Sequence, residues 1–259
     1  MPEELWINSA SDWEQQAPRL AHESVLAVDL EGDFMLYRYG RRICLYQLAF
    51  ENGDIWLIDP LAGFALDQLF QAFSNPNQIK VFWGASNDVR YLKALAGCQV
   101  QGLVDLWEAA KLILHPRPSL SMVLQDTLGV TIAKEVALQT SDWNTRPLSD
   151  DQRRYAAQDV RYLLPVWQKW KTALTGALAT VFQKRMKHLL TLEVKPDLPP
   201  VERIKGRFLL TPDELVRLKH LADERECEAQ RRDLAPWRLA ENEKLLAWAK
   251  SGQTHAWET

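Results

Sequence analysis

Apolar and polar positions along the first third of the chain fall in the short runs typical of strands. Residues 24–28, Ser-Val-Leu-Ala-Val, form an apolar run with two β-branched members, which predicts a buried strand. Residues 42–50 and 54–58 read as two further strands, with Glu51-Asn52-Gly53 as the hairpin turn between them. A fourth run, 79–83, follows the turn signal Asn75-Pro76-Asn77. From there the period lengthens to that of helices. Val89, Leu92 and Leu95 share one face of a helix from 86 to about 96. A similar pattern runs from 103 to about 114, where Pro116 and Pro118 stop it. Residues 120–128 make a short helix closed by Gly129. Ser149 and Gln152 have the S-x-x-Q form of a capping box. The helix they open runs through Tyr155 and Asp159 toward Leu164, where Pro165 bends or ends it. Antiparallel strands followed by strand–helix alternation predict an α/β or α+β layered domain.

Residues 195–200, Lys-Pro-Asp-Leu-Pro-Pro, hold three prolines in six positions and read as a linker, since proline sustains neither a helix interior nor a central strand. Beyond it, Thr211-Pro212-Asp213-Glu214 combines a cap, proline at the first helical position and the carboxylate that completes a box. That helix continues to about 232, and a second covers about 241–250. The chain therefore divides into a domain at 1–194, a linker at 195–210 and a small helical region at 211–259.

Composition narrows the class. Of 259 residues, 47% are hydrophobic and 25% charged, the balance of a soluble globular protein. No run approaches the ~18 apolar residues of a membrane span. The opening MPEELWINSASDWEQQ lacks the basic and apolar regions of a signal peptide. Cys44, Cys98 and Cys227 stand far apart in no zinc or disulfide spacing, which fits a reducing cytoplasm. His22, His115, His188, His220 and His255 are scattered and in no metal spacing, so surface or capping roles are expected. Residues 1–160 carry 13 Lys and Arg against 21 Asp and Glu, whereas 161–259 carry 18 against 13. An acidic part beside a basic one reads either as ordinary solvated helices or as a carboxylate-rich metal site next to a phosphate-binding surface.

Four acidic side chains and a tyrosine are the candidate chemistry. Asp29 and Glu31 follow the first apolar run two residues apart, so on an extended chain they project to one side. Asp88 sits at the start of the helix after the fourth strand, where an aspartate also serves as a cap. Asp159 lies one turn beyond Tyr155 on a common helix face. Taken singly, these are a solvated turn, a cap and a surface pair.

Their order, however, resembles that of the DEDD exonuclease superfamily in its tyrosine branch, and within that branch the ribonuclease D family. The stretches that carry the resemblance are AVDLE (27–31), VFWGASNDVRYL (81–92), SLSMVLQDTLGV (119–130) and QTSDWNTRPLSDDQRRYAAQDVRYLLP (139–165). The resemblance covers roughly 20–170 and implies a ribonuclease H-like mixed β-sheet flanked by helices. It implies a 3′→5′ exonuclease that trims single-stranded RNA 3′ ends, tRNA precursors or short oligonucleotides among them, releasing nucleoside 5′-monophosphates. It also implies two divalent ions, Mg²⁺ or Mn²⁺. Asp29 would bridge both, Glu31 and Asp159 would bind the ion on the nucleophile side, Asp88 would hold the second, and Tyr155 would orient the attacking water. The region from Ile204 to Ala249 resembles the front of an HRDC module, a helical nucleic-acid-binding domain. One departure from the family pattern is the basic segment GDFMLYRYGRRICLYQL, whose Arg38, Arg41 and Arg42 read either as phosphate contacts or as exposed loop arginines.

The chemistry suits such a set. Phosphodiester hydrolysis needs an activated water and a stabilised leaving oxygen, which two ions ~3.5–4 Å apart supply together. Hard oxygen ligands suit those ions, and converging carboxylates without them repel one another. A phenol with an ordinary pKa near ~10 is a poor base at neutral pH, so Tyr155 is expected to position the water. Asp105 and Asp142 are expected to be caps or supports. Most of the eleven tryptophans are expected to pack, although Trp83 and Trp143 lie near the proposed site. Two other readings stay open on residues alone: a DNA exonuclease on the same fold, and a catalytically silent RNA-binding module.

Overall fold

A computed structural model of the chain describes residues 2–113, 117–132, 135–252 and 257. The expected helix stop at Pro116, and His115 and His255, lie outside them. The chain divides into two compact units, one of residues 1–32 and 43–194, the other of 33–42 and 195–259. Among the described residues no helix is long and apolar enough to cross a membrane.

The first unit is built on a six-stranded sheet, β1 (Glu4–Ile7), β2 (Val25–Phe34), β3 (Arg41–Ala49), β4 (Ile55–Ile58), β5 (Ile79–Phe82) and β6 (Leu103–Asp105). Their order is β1-β4-β3-β2-β5-β6. β3 and β4 are antiparallel, while β1 with β4, β2 with β5 and β5 with β6 run parallel, so the sheet is mixed. Its helices are α1 (Ala10–Gln16), α2 (Asp67–Ser74), α3 (Ser86–Ala96), α4 (Leu106–Ile113), α5 (Leu120–Leu128), α6 (Val136–Gln139), α7 (Asp150–Arg161), α8 (Leu163–Trp170) and α9 (Gly176–Leu190). The centre of β2, Leu26-Ala27-Val28, is fully buried, as are Leu45, Leu48, Leu57, Phe73 and Phe82. Each of the leucine, valine and phenylalanine side chains contributes about 1.5–3 kcal/mol by leaving water.

Several elements differ from the sequence expectation for identifiable reasons. β2 does not end at Val28 but continues through Asp29 and Glu31 to Phe34, because ladder pairing uses the backbone and is indifferent to a carboxylate. The apolar stretch expected as one helix from 103 opens with the strand β6, which pairs with β5 through Lys80 and Leu103. A three-residue run fits either period, and only the neighbouring strand decides. The four-residue edge strand β1 was too short to register. Pro165 ends neither helix: α7 stops at Arg161, and Pro165 falls in the first turn of α8, where its missing N–H has no partner to lose.

The second unit has helices α10 (Pro212–Arg232), α11 (Pro236–Leu239) and α12 (Asn242–Ser251) around Ile204, Leu218, Leu221, Ala222, Leu245 and Ala249. Thr211 and Glu214 cap α10 reciprocally at 3.4 and 2.7 Å. Residues 195–210 hold two 3₁₀ turns, and Ile204 between them is fully buried in this small core. The basic segment 33–42 belongs here. Asp33 accepts from the backbone N–H groups of Leu36, Tyr37 and Arg38 at 2.8, 3.1 and 2.7 Å. Arg38 and Arg42 both reach Asp233, at 2.8 and 2.9 Å, and Arg41 pairs with Asp197. Tyr39 donates to Glu226 at 3.1 Å. These arginines are thus engaged in ion pairs inside the helical unit.

Candidate active site

β2 presents Asp29 and Glu31 two residues apart, and α7 presents Tyr155 and Asp159 one turn apart. The fold brings three of the carboxylates together: one oxygen from each of Asp29, Glu31 and Asp159 lies within 4.8 Å of the others. Asp88, in the first turn of α3, is outside that trio, but its charge acts on both Asp29 and Glu31. Tyr155 reaches the cluster through Asp159.

Burial and crowding leave every member reluctant to ionise. Asp29 is held well above the usual carboxylate range, first by burial, then by the charges of Asp159 and Asp88. Glu31 is raised likewise, first by burial and then by the charges of Asp29, Asp159 and Asp88. Asp88 is pushed up to about 7 by burial and then by Asp105. Asp159 is raised to about 6, again chiefly by burial, although hydrogen bonding from the Tyr155 hydroxyl opposes the rise. The Tyr155 phenol is driven far above its ordinary value by burial and the surrounding carboxylates, so it stays protonated at any physiological pH. Among the described residues none of the four acids has an ion pair with a lysine or arginine. Hard oxygen donors that repel one another and lack a cation fit a divalent metal ion, whose charge would reverse these shifts.

Three supports hold the cluster in place. Asp105 accepts from the backbone N–H groups of Gly84, Ala85 and Trp107 at 2.9, 3.0 and 2.9 Å, which fixes the β5–α3 turn that delivers Asp88. The α7 capping box closes at 3.1 and 3.0 Å, and Gln152 extends it to the Ser141 hydroxyl at 3.0 Å and the Asp142 carbonyl at 3.2 Å. Buried Trp143 lies 6.2 Å from the Tyr155 ring, centroid to centroid. The sequence reading missed Asp59 and Arg146, which tie this segment to the sheet. It also missed Glu135, whose charge acts on Asp159. Arg146 lies within the family-like stretch 139–165, but its partner Asp59 is 87 residues away.

A 3′-5′ exonuclease family model matches residues 5–175. The chain is 29% identical to the exosome complex exonuclease RRP6 of Saccharomyces cerevisiae, over 94% of this chain and 35% of that protein. It is 30% identical to ribonuclease D of Haemophilus influenzae, over 87% of this chain and 57% of that one. The chain thus spans about a third to three-fifths of these relatives. Among solved structures, the catalytic core of RRP6 from Trypanosoma brucei superposes with a TM-score of 0.85 at 28% identity, covering 98% of this chain and 72% of that one. Ribonuclease D of Escherichia coli, at 24% identity and a TM-score of 0.70 over 98% of this chain and 68% of that one, shares the fold.

Proposed function

Since the chain belongs to the 3′-5′ exonuclease family, we propose that it is an exoribonuclease of the ribonuclease D and RRP6 type, trimming single-stranded RNA from the 3′ end and releasing nucleoside 5′-monophosphates. The observation that carries this is the meeting of Asp29, Glu31 and Asp159 within 4.8 Å beside Tyr155. In this reading Asp29, Glu31, Asp159 and Asp88 would hold divalent ions, Mg²⁺ or Mn²⁺. When bound, such ions supply the acidity that activates water and the charge that steadies the leaving oxygen.

The chain's own residues do the rest. Asp29 and Glu31, side by side on a rigid strand, set the ligand spacing, and Asp88 approaches from the next strand–helix junction. The Tyr155 hydroxyl, held protonated, positions the attacking water and withdraws no proton from it. Trp143, buried beside the Tyr155 ring, packs that side of the site.

RNA is favoured over DNA by the names of the relatives, ribonuclease D and an exosome exonuclease. The substrates are then RNA 3′ ends such as tRNA precursors or short oligonucleotides. The helical unit, with its reciprocal cap and long α10, serves in this reading as an HRDC-like nucleic-acid-binding region. The setting in this reading is the cytoplasm, whose reducing conditions keep cysteines such as Cys98 and Cys227 as thiols. The test is hydrolysis of a 5′-labelled oligoribonucleotide and its DNA twin in Mg²⁺, Mn²⁺ and EDTA. Stepwise shortening of the RNA that EDTA stops is expected. Equal or faster loss of the DNA would reassign the substrate, and silence in both metals would remove the enzyme.

A further inference from the structure

The helix that carries Tyr155 and Asp159 has a second polar stripe. At 3.6 residues per turn, Arg154, Gln158 and Arg161 stack at i, i+4 and i+7, turned away from the Tyr155 and Asp159 face. They line a cleft of about 320 Å³ with Arg153, Trp6 and Tyr162. That volume lies at the lower end of ligand-sized clefts, ~300–1,000 Å³. The indole of Trp6 stands on the edge strand β1, beside Leu57 of β4, and is half-buried. Behind it the Arg146 guanidinium sits 5.8 Å from the ring centroid, which favours one orientation of the ring.

We propose that this cleft is an exosite for single-stranded RNA, taking one nucleotide with its base on Trp6 and its phosphate on Arg153 and Arg161. The proposal rests on the exoribonuclease reading for its choice of ligand. Three guanidinium groups line the cleft beside two carboxylates, Glu4 and Asp150. The arginines are now paired with acids at the protein surface: Arg153 with Asp150, Arg161 with Glu4 at 3.2 Å, and Arg154 with Asp151 at 2.6 Å and Glu135 at 3.6 Å. Exposed pairs of this kind are weak, whereas a guanidinium binds phosphate through two parallel hydrogen bonds, so exchange favours the phosphate. An aromatic platform between cations is the arrangement that stacks bases without reading them. An acidic peptide would use the arginines but not the platform. A strand held here is anchored on a face of α7 about 100° round from the one that carries Tyr155 and Asp159. The cleft would therefore strengthen binding of longer strands without touching the reacting phosphate.

The experiment uses the full chain with Asp29→Asn to stop turnover, and a fluorescent 12-nucleotide oligouridylate. The double variant Arg153→Gln/Arg161→Gln, and separately Trp6→Leu, are each checked for an unchanged melting temperature. About a tenfold weaker affinity and a shallower salt dependence are expected for the arginine pair. Internal 4-thiouridine should cross-link to the peptide containing Trp6. In chains with Asp29 intact, KM for the 12-mer should rise while hydrolysis of a dinucleotide is unchanged. Wild-type affinity and salt slope in the folded arginine variant would overturn the exosite. So would arginine-dependent binding of a poly-glutamate peptide that RNA fails to displace. Unchanged KM in variants that still trim 3′ ends removes the exosite alone. A wild-type chain that binds RNA at Trp6 yet never shortens it removes the exonuclease alone.

Discussion

Arg146 grips Asp59 through both carboxylate oxygens, at 2.6 and 2.7 Å, and the same guanidinium donates to the carbonyls of Cys44 at 2.6 Å and Trp143 at 2.8 Å. One side chain thus ties the segment before α7 to the end of β4 and to β3. Asp59 is almost completely buried, so removing the arginine strands a charge. Arg146→Ala is expected to cost about 2–4 kcal/mol, toward the lower part of the range for breaking a buried pair because the guanidinium is partly wet. Urea denaturation measures it. Arg146→Lys should recover less than half, since an ammonium cannot make the forked contact.

The acidic cluster makes stability depend on metal and pH together. A carboxyl whose folded pKa is raised contributes fully below its ordinary value and loses that contribution as pH rises through the raised one. With Asp159 near 6 and Asp88 near 7, the metal-free protein should lose melting temperature between pH 5 and 8. Mn²⁺ should restore it, with a larger shift at pH 8 than at pH 6. Asp29→Asn should raise the metal-free melting temperature at pH 8 and shrink the shift. A metal response equal in the variant and the parent would place the ion elsewhere.

Tyr155 is kept protonated by burial and by its acidic neighbours, so its expected contribution is orientation. Tyr155→Phe should lower single-turnover cleavage by ~10²-fold, the scale of one positioned group. The metal-induced melting shift should persist, because the phenol is not one of the proposed ligands. A rate that climbs with pH in the parent but not in the variant would instead assign it as a base.

Gly102 precedes β6 with φ +62°, and a Cβ there would fall 2.2 Å from the Gln78 carbonyl oxygen. That carbonyl also accepts from the buried Lys80 ammonium at 2.6 Å. Gly102→Ala therefore meets both a strained backbone and a clash with a carbonyl that has no room to move. A loss of about 2–4 kcal/mol is expected, from the costs of positive φ and of overpacking together. Thermal unfolding checks it.

The local content of this protein was legible from the sequence alone. The apolar run before Asp29, the Ser149–Gln152 box and the Thr211–Glu214 box are short-range features, and each appears where its residues require. The pairing of Tyr155 with Asp159 follows from helical spacing, and the order of the acidic motifs pointed to a family that the comparisons bear out. What needed the tertiary structure was everything set by distant partners. β6 is a strand because β5 lies beside it. Arg38, Arg41 and Arg42 are ion-paired because Asp197 and Asp233 arrive from more than 150 residues away. Periodicity records which face a residue occupies, but it carries no information about which segment will cover that face. The convergence of Asp29, Glu31 and Asp159 within 4.8 Å is likewise a property of the folded sheet and helix, for which no local pattern substitutes.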